Sequence, residues 1–220
     1  MRQGYFITGT DTGVGKTWVT VALMCYFRQQ GYTVSGMKPV AAGCEWIDGR
    51  FRNDDALLIQ QHCSFALDYQ IVNPYSYELA VSPHLAGIDN PVQLAFIKQC
   101  FEQLESCSER IVVEGAGGWY SPLSERINNA DLACMLDLPV ILVVAMRLGC
   151  LNQACLSLQA IMASNVTCIG WVAVCVDSQM AFLEANIQYL ENHLAAPLLA
   201  VIPYALRADF EEFGKFFTIK

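Results

Sequence analysis

Between an apolar segment and a long, largely apolar stretch runs Gly9-Thr10-Asp11-Thr12-Gly13-Val14-Gly15-Lys16-Thr17. A glycine-rich turn that opens a helix presents backbone N–H groups to phosphate oxygens, at the end where the helix dipole also favours anions. A lysine closing such a turn reaches the β and γ phosphates, and the hydroxyl beside it binds magnesium. Lys16 and Thr17 fit those two roles. Thr10 stands where the usual spacing has its first glycine, but an apolar strand before the turn and an apolar helix after it supply the context the motif needs. The chemistry indicated is nucleoside triphosphate binding. Switches, motors, kinases and synthetases all use such a loop, so other residues must decide among them.

Ile111-Val112-Val113-Glu114 is an apolar strand that ends in an acid, followed by Gly115-Ala116-Gly117-Gly118. Glu114 is either a magnesium-side carboxylate or an acid standing by chance at a strand end. The glycines after it allow backbone to approach a ligand closely. Asp54 and Asp55 follow Asn53, an N-cap residue type; acids there bind a metal or simply complement the helix dipole. Lys38 follows another apolar strand and precedes Pro39. It sits where open α/β sheets bind ligands, at the carboxyl edge, as a solvated strand end or as a cation aimed at reacting groups.

These residues need a scaffold, and the order of apolar runs describes one. Residues 5–9 read as a first strand, a helix follows to about 31, and 33–40 read as a second strand. Asn53 caps a helix through 61. Asn90-Pro91 opens another helix to about 106, with proline at its first position. Residues 110–114 and 139–145 are further buried strands. A helix over 151–164 leads to a strand over 167–176, and one over 181–193 precedes a strand over 197–202. Such alternation implies an α/β fold of the P-loop NTPase type, a mostly parallel sheet with helices on both faces in three layers. The expected organisation is one domain, 1–220. Residues 70–87 are the least regular stretch, and long irregular loops are often functional. The C-terminal Asp209-Phe210-Glu211-Glu212-Phe213-Gly214-Lys215-Phe216-Phe217 reads as a segment packing on the domain.

Composition narrows the class. The chain has 220 residues, 54% of them hydrophobic. Its longest uninterrupted apolar run, 138–146, is too short to cross a bilayer. The beginning Met1-Arg2-Gln3-Gly4-Tyr5 shows no secretory leader, so a cytoplasmic protein without a membrane partner is expected. A net charge of −8 without any basic run argues against nucleic acid. Ten cysteines include no CxxC pair. Cys25, Cys100 and Cys134 lie in apolar segments and are expected as reduced core thiols.

Seven blocks occur in order: residues 9–17, Met37-Lys38-Pro39-Val40, Asn53-Asp54-Asp55-Ala56, Val72-Asn73-Pro74-Tyr75, Ser82-Pro83-His84, Glu114-Gly115-Ala116-Gly117-Gly118 and Arg147-Leu148-Gly149-Cys150-Leu151-Asn152. Together they resemble the dethiobiotin synthetase family along nearly the whole chain. The resemblance implies a reaction in which 7,8-diaminononanoate, CO2 and ATP give dethiobiotin, ADP and phosphate. An amine is carbamated, ATP phosphorylates the carbamate, and the second amine displaces phosphate to close a ring. It implies Mg2+ held by Thr17, Asp55 and Glu114, and catalysis by Lys38 and Lys16. Nucleotide contacts would come from Gly13, Val14, Gly15, Lys16, Thr17, Trp18, Asp55, Glu114, Gly115, Ala116, Gly117, Val174, Cys175, Pro203, Tyr204 and Ala205. Substrate would meet Thr12, Lys38, Ala42 and Pro83, with Ser82 beside it and His84 as readily a surface-loop histidine. A homodimer partner would complete the substrate carboxylate site at Gly149, Cys150, Leu151 and Asn152, which otherwise form an ordinary helix cap.

On this reading Lys38→Gln removes most turnover and leaves the fold intact. Two positions depart from the family pattern. Ala42 stands where relatives often have a hydroxyl, a loss of about 0.5–1.5 kcal/mol. Val174 stands where some relatives carry an asparagine that reads adenine, so other nucleoside triphosphates are expected to serve. Two rivals share the P-loop. Amidating synthetases carry a glutaminase domain for which this chain has no room, and partition ATPases place a second lysine at the Asp11 position.

Overall fold

The computed structural model describes residues 3–219; Met1 and Arg2, where the N-terminal segment read for a leader begins, lie outside the described residues, as does Lys220. The chain runs β1 (Gln3–Gly9), α1 (Lys16–Gln29), β2 (Val34–Met37), β3 (Val40–Ala42), β4 (Glu45–Ile47), β5 (Arg50–Arg52), α2 (Asp54–Gln61), α3 (Tyr69–Val72), β6 (Tyr75–Tyr77) and α4 (Pro83–Ala86). It continues through α5 (Leu94–Cys107), β7 (Arg110–Gly118), α6 (Asn129–Leu136), β8 (Val140–Ala145), α7 (Cys150–Ala163), β9 (Cys168–Val174), α8 (Leu183–His193), β10 (Leu198–Ile202) and α9 (Phe210–Gly214).

Six parallel strands form the central sheet in the order β10-β9-β8-β1-β7-β2. Side chains alternate along a strand, so a strand covered on both sides must be apolar at every position. In β8, Val140, Leu142 and Val144 enter one core while Ile141, Val143 and Ala145 enter the other. In β1, Phe6 faces one layer and Tyr5 and Ile7 face the layer built by α1. That is the expected three-layer α/β arrangement, and β1 lies at its switch point: the chain leaves toward β2 on one side and later fills β8 to β10 on the other. Ligands bind at the carboxyl edge of such a point. Among the described residues no helix is long and apolar enough to cross a membrane.

Several expectations are corrected. The strand expected over 33–40 breaks at Lys38-Pro39, and its continuation β3 pairs with β6 in a separate two-stranded sheet. Proline has no N–H for a ladder, and the Lys38 N–H goes instead to the Val72 carbonyl at 2.9 Å. The helix expected to open at Asn90-Pro91 begins at Leu94. Two tyrosines hold its would-be first turn: Tyr77 Oη donates to the Asn90 carbonyl at 2.8 Å, and the Gln93 N–H donates to Tyr75 Oη at 2.9 Å. The stretch read as irregular contains most of α3, all of β6 and α4. The β4–β5 hairpin and α6 were not anticipated. Cys25 and Cys100 are buried, but Cys134 is exposed on the outer side of α6 rather than in the core.

The aromatic C-terminal segment does pack on the domain. Phe213 and Phe217 are buried, and the Trp18 ring lies 5.8 Å from Phe213 and 6.4 Å from Phe210. Phe213→Ala is expected to cost about 3 kcal/mol, the low end for a buried phenylalanine because the segment is terminal and can resettle. Chemical denaturation reads this directly. A loss below 0.5 kcal/mol would mean that α9 is not part of the cooperative fold.

Candidate functional site

A cleft of about 860 Å³ opens at the carboxyl edge of the sheet, over the turn between β1 and α1. Gly15 caps α1 with φ 91°, and a Cβ there would stand 2.8 Å from Val174 Cγ1. Both facts require glycine at this position. Lys16 is the first residue of the helix, is 7% exposed, and donates through Nζ to the Asp11 carbonyl at 2.7 Å.

Strand periodicity delivers the other groups. Glu114 is two residues beyond Val112, hence on the same face of β7 as α1, and is 1% exposed. Its Oε1 accepts from Thr17 Oγ1 at 3.1 Å and from Lys38 Nζ at 2.8 Å. Lys38 Nζ also donates to Asp55 Oδ2. Asn53 starts α2 by accepting the Ala56 N–H on its side chain, which sets Asp55 in the first turn at the rim of the cleft. Lys38, Asp55, Glu114 and Thr17, distant in sequence, thus form one cluster above the glycine-rich turn.

Glu114 Oε2 is buried without a hydrogen-bond partner. A buried carboxylate oxygen left unpaired is costly unless a ligand completes it. Together with Thr17 Oγ1 and Asp55 it makes a hard, all-oxygen donor set that suits magnesium, which takes its remaining ligands from phosphates and water. Among the described residues no group of three or more His, Cys, Asp or Glu could hold a metal by itself. A site completed by a nucleotide is consistent with that.

The two lysines differ electrostatically. Burial brings Lys16 down to about 8 from an ordinary 10.5; the Glu114 carboxylate works against the shift and the Lys38 ammonium adds to it. Burial also presses on Lys38, but Glu114 and Asp55 outweigh it and hold Lys38 well above its usual value. Protonated Lys16 therefore opposes folding of the free protein below pH 8, a penalty relieved between about 8 and 10.5, while the Lys38 contribution stays intact through that window. A triphosphate favours the charged lysine. Affinity for ATP is thus expected to be flat below pH 8 and to fall by up to tenfold per pH unit above it, with proton uptake on binding. Calorimetry at pH 9 in buffers of different ionisation enthalpy measures this. Equal affinity at pH 7 and 9.5 would remove Lys16 from the phosphates.

The cleft is lined by Thr12, Gly13, Gly15, Lys16, Thr17, Trp18, Lys38, Ala42, Asp55, Pro83, Glu114, Gly115, Ala116, Gly117, Val174, Cys175, Tyr204 and Ala205 among the residues anticipated. Val14 is buried beneath the turn, and Pro203 does not line the cleft. Ser82 lines it, whereas His84 does not and pairs through Nδ1 with Ser82 Oγ at 2.9 Å. Gly149, Cys150, Leu151 and Asn152 open α7 as expected, Gly149 with φ 94°, but stand outside the cleft of this single chain.

Sequence reasoning read Asn53 only as a helix cap and missed Val81 and Ser121, and all three stand on the cleft wall. It also missed Asn129, fully buried at the start of α6, whose side chain holds the end of β7 after Glu114. Its Nδ2 donates to the Ala116 and Gly118 carbonyls at 2.6 and 2.7 Å, and its Oδ1 accepts the Ala116 N–H at 3.2 Å. The capping box of Asn128 and Asp131 was the signal that could have revealed this helix.

A family model described as an AAA domain matches residues 3–211. The chain is 46% identical over 210 residues to the ATP-dependent dethiobiotin synthetase BioD of Xanthomonas axonopodis pv. citri (strain 306), covering 94% of each chain. It is 43% identical over 204 residues to the protein of that name from Xylella fastidiosa (strain 9a5c), covering 92% of this chain and 90% of that one. Among solved structures it resembles the signal recognition particle receptor FtsY from Elizabethkingia anophelis in complex with GDP. That match has a TM-score of 0.58 at 13% identity and covers 100% of this chain and 64% of the other, a likeness of fold alone.

Proposed function

We propose, because the chain belongs to the ATP-dependent dethiobiotin synthetase family, that its cleft joins 7,8-diaminononanoate and CO2 at the expense of ATP. The observation that carries the reading is the Lys38 ammonium held between Asp55 and Glu114 directly over the glycine-rich turn. A carbamate and a triphosphate repel one another, so the reaction needs positive charge at their junction and alignment of the reacting atoms. Lys16 supplies charge from the turn and Lys38 from the end of β2. Gly13, Gly15 and Lys16 line the cleft, where the backbone N–H groups of the turn would meet the phosphates. Thr17, Asp55 and Glu114 would hold magnesium, which when bound neutralises charge on the transferring phosphoryl group.

Thr12, Ala42, Ser82 and Pro83 line the other part of the cleft, where the diamine would lie. Ala42 offers it a methyl group and no hydrogen bond. In the proposal residues 1–220 act as one catalytic domain of a homodimer, the N-terminus of α7 serving the substrate carboxylate across the subunit boundary. Leu148 is fully exposed beside that helix end, and Leu156 and Met162 are exposed along α7, apolar surface that suits a partner subunit. Ten free thiols suit a reducing compartment, which supports a cytoplasmic enzyme.

The test is phosphate release that requires both the diamine and bicarbonate. ATP hydrolysis that ran equally without the diamine would favour a nucleotide switch instead. Sedimentation of the same preparation reads the dimer, and a monomer at assay concentration would remove that part.

Nucleotide selectivity follows from the base end of the cleft. Val174, Cys175, Val176, Tyr204 and Ala205 line it, and none of these five carries a side-chain amide. The Val174 carbonyl is taken by the Met146 N–H at 2.8 Å and the Cys175 N–H by the Ile202 carbonyl at 2.9 Å. With no side-chain amide there to read one base, discrimination is expected to be weak. GTP and CTP should support turnover within about tenfold of ATP. Discrimination above 100-fold in parallel kcat/KM measurements would count against this.

A further inference from the structure

Asn73, in the Val72-Asn73-Pro74-Tyr75 block, does not line the cleft. Asn73 is 2% exposed and its amide is fully engaged. Its Nδ2 donates to the Lys38 carbonyl at 2.6 Å, and its Oδ1 accepts from Tyr69 Oη at 2.8 Å. Tyr69 Oη in turn accepts the backbone N–H of Asn53 at 2.8 Å. Asn53 is the cap of α2, two residues before Asp55, and Asp55 pairs with Lys38 Nζ. The chain of contacts is therefore closed: Lys38 carbonyl, Asn73 amide, Tyr69 hydroxyl, Asn53 N–H, the first turn of α2, Asp55 carboxylate, Lys38 ammonium.

We propose that Asn73 and Tyr69 are positioning residues that fix the distance between the Lys38 and Asp55 side chains for the ring-closing reaction. Lys38 needs such a device. It lies just where the sheet ladder ends, between β2 and β3, and Pro39 offers no N–H to continue pairing. Asp55 needs it too, because α2 has only eight residues and its start could shift without an external anchor. A buried side-chain network with every member paired specifies a single geometry, and a 1 Å displacement of a reacting group costs roughly 100-fold in rate. The proposal rests on the roles given above to Lys38 and Asp55.

The test compares Asn73→Ala, Tyr69→Phe and Ser76→Ala. Ser76 Oγ donates to the same Asn73 Oδ1 at 2.7 Å but lies outside the closed chain, so it reports on general loosening. The glycine-rich turn is not part of the network, so ATP binding measured without magnesium is expected to stay within about twofold in all three. Diamine-dependent kcat should fall about 100-fold in Asn73→Ala and about tenfold in Tyr69→Phe, and stay within threefold in Ser76→Ala. Tyr69→Phe removes one oxygen, so it keeps the test open should Asn73→Ala fail to fold. Wild-type kcat in folded Tyr69→Phe overturns the proposal, as does a parallel loss of ATP affinity and kcat, which a merely structural role would produce. A wild-type protein without diamine-dependent turnover overturns the functional reading along with it.

Discussion

Lys38→Gln is expected to lower diamine-dependent turnover by about 10³-fold, the scale on which removal of one preorganised charge acts at a reacting centre. ATP binding in the absence of magnesium should change little, because Lys16 and the turn amides remain. The sequence by itself suggests that the fold is untouched, and here the structure alters the expectation. Glu114 is 1% exposed on its side chain and has Lys38 as its close cation, whereas Asp55 is 44% exposed and stays hydrated. Removing the ammonium leaves a buried carboxylate without its opposite charge, at about 3–5 kcal/mol. Asp55 loses far less, as half-exposed pairs do. Thermal or denaturant unfolding of the nucleotide-free variant should show this cost, and assays must be run well below its midpoint. A folded variant with near-normal turnover would sink the assignment of Lys38.

Glu114→Gln carries the second large effect, expected at about 100- to 1,000-fold in kcat. Glutamine keeps the shape of the side chain and can still accept from Thr17, so the loss is one of charge. Two consequences, in magnesium dependence and in sensitivity to alkali, separate it from the lysine variant. The magnesium concentration for half-maximal turnover should rise at least about tenfold, because a neutral amide oxygen is a weaker ligand for a hard cation. ATP binding should become more sensitive to alkali, since Glu114 is the carboxylate that most strongly supports the charge on Lys16. Without it the lysine loses its proton below pH 8, and affinity begins to fall at that lower pH. The nucleotide-free protein should also lose stability, with Lys16 and Lys38 facing each other across a cleft that has lost its most buried acid. An unchanged magnesium dependence would take Glu114 out of the metal site.

Much of this could be read from order along the chain. The glycine-rich turn between an apolar strand and an apolar helix announces a nucleotide site, because both backbone amides and dipole come from residues adjacent in sequence. The run 138–146 announces a strand covered on both faces, since alternation confined to one face would have left polar gaps. Asn53 announces the start of α2 for the same local reason: its own side chain caps the turn it opens. Family blocks then pointed to Lys38, Asp55 and Glu114 one at a time.

What the sequence could not show is how these groups meet. Lys38 and Glu114 are 76 residues apart and Lys38 and Asp55 are 17 apart, so their pairing depends on how β2, β7 and α2 pack. The same holds for the Asn129 clamp on the 116–118 backbone, for the tyrosines that delay α5, and for the closed chain through Asn73 and Tyr69. Gly149, Cys150, Leu151 and Asn152 mark the opposite case, a local helix start that was legible but that one chain alone does not bring to its own cleft. Periodicity and capping are decided by neighbours in sequence, and these the chain determined by itself. The charge cluster and its orphaned carboxylate oxygen arise only when distant segments close on one another, because burial, not sequence spacing, sets their electrostatics.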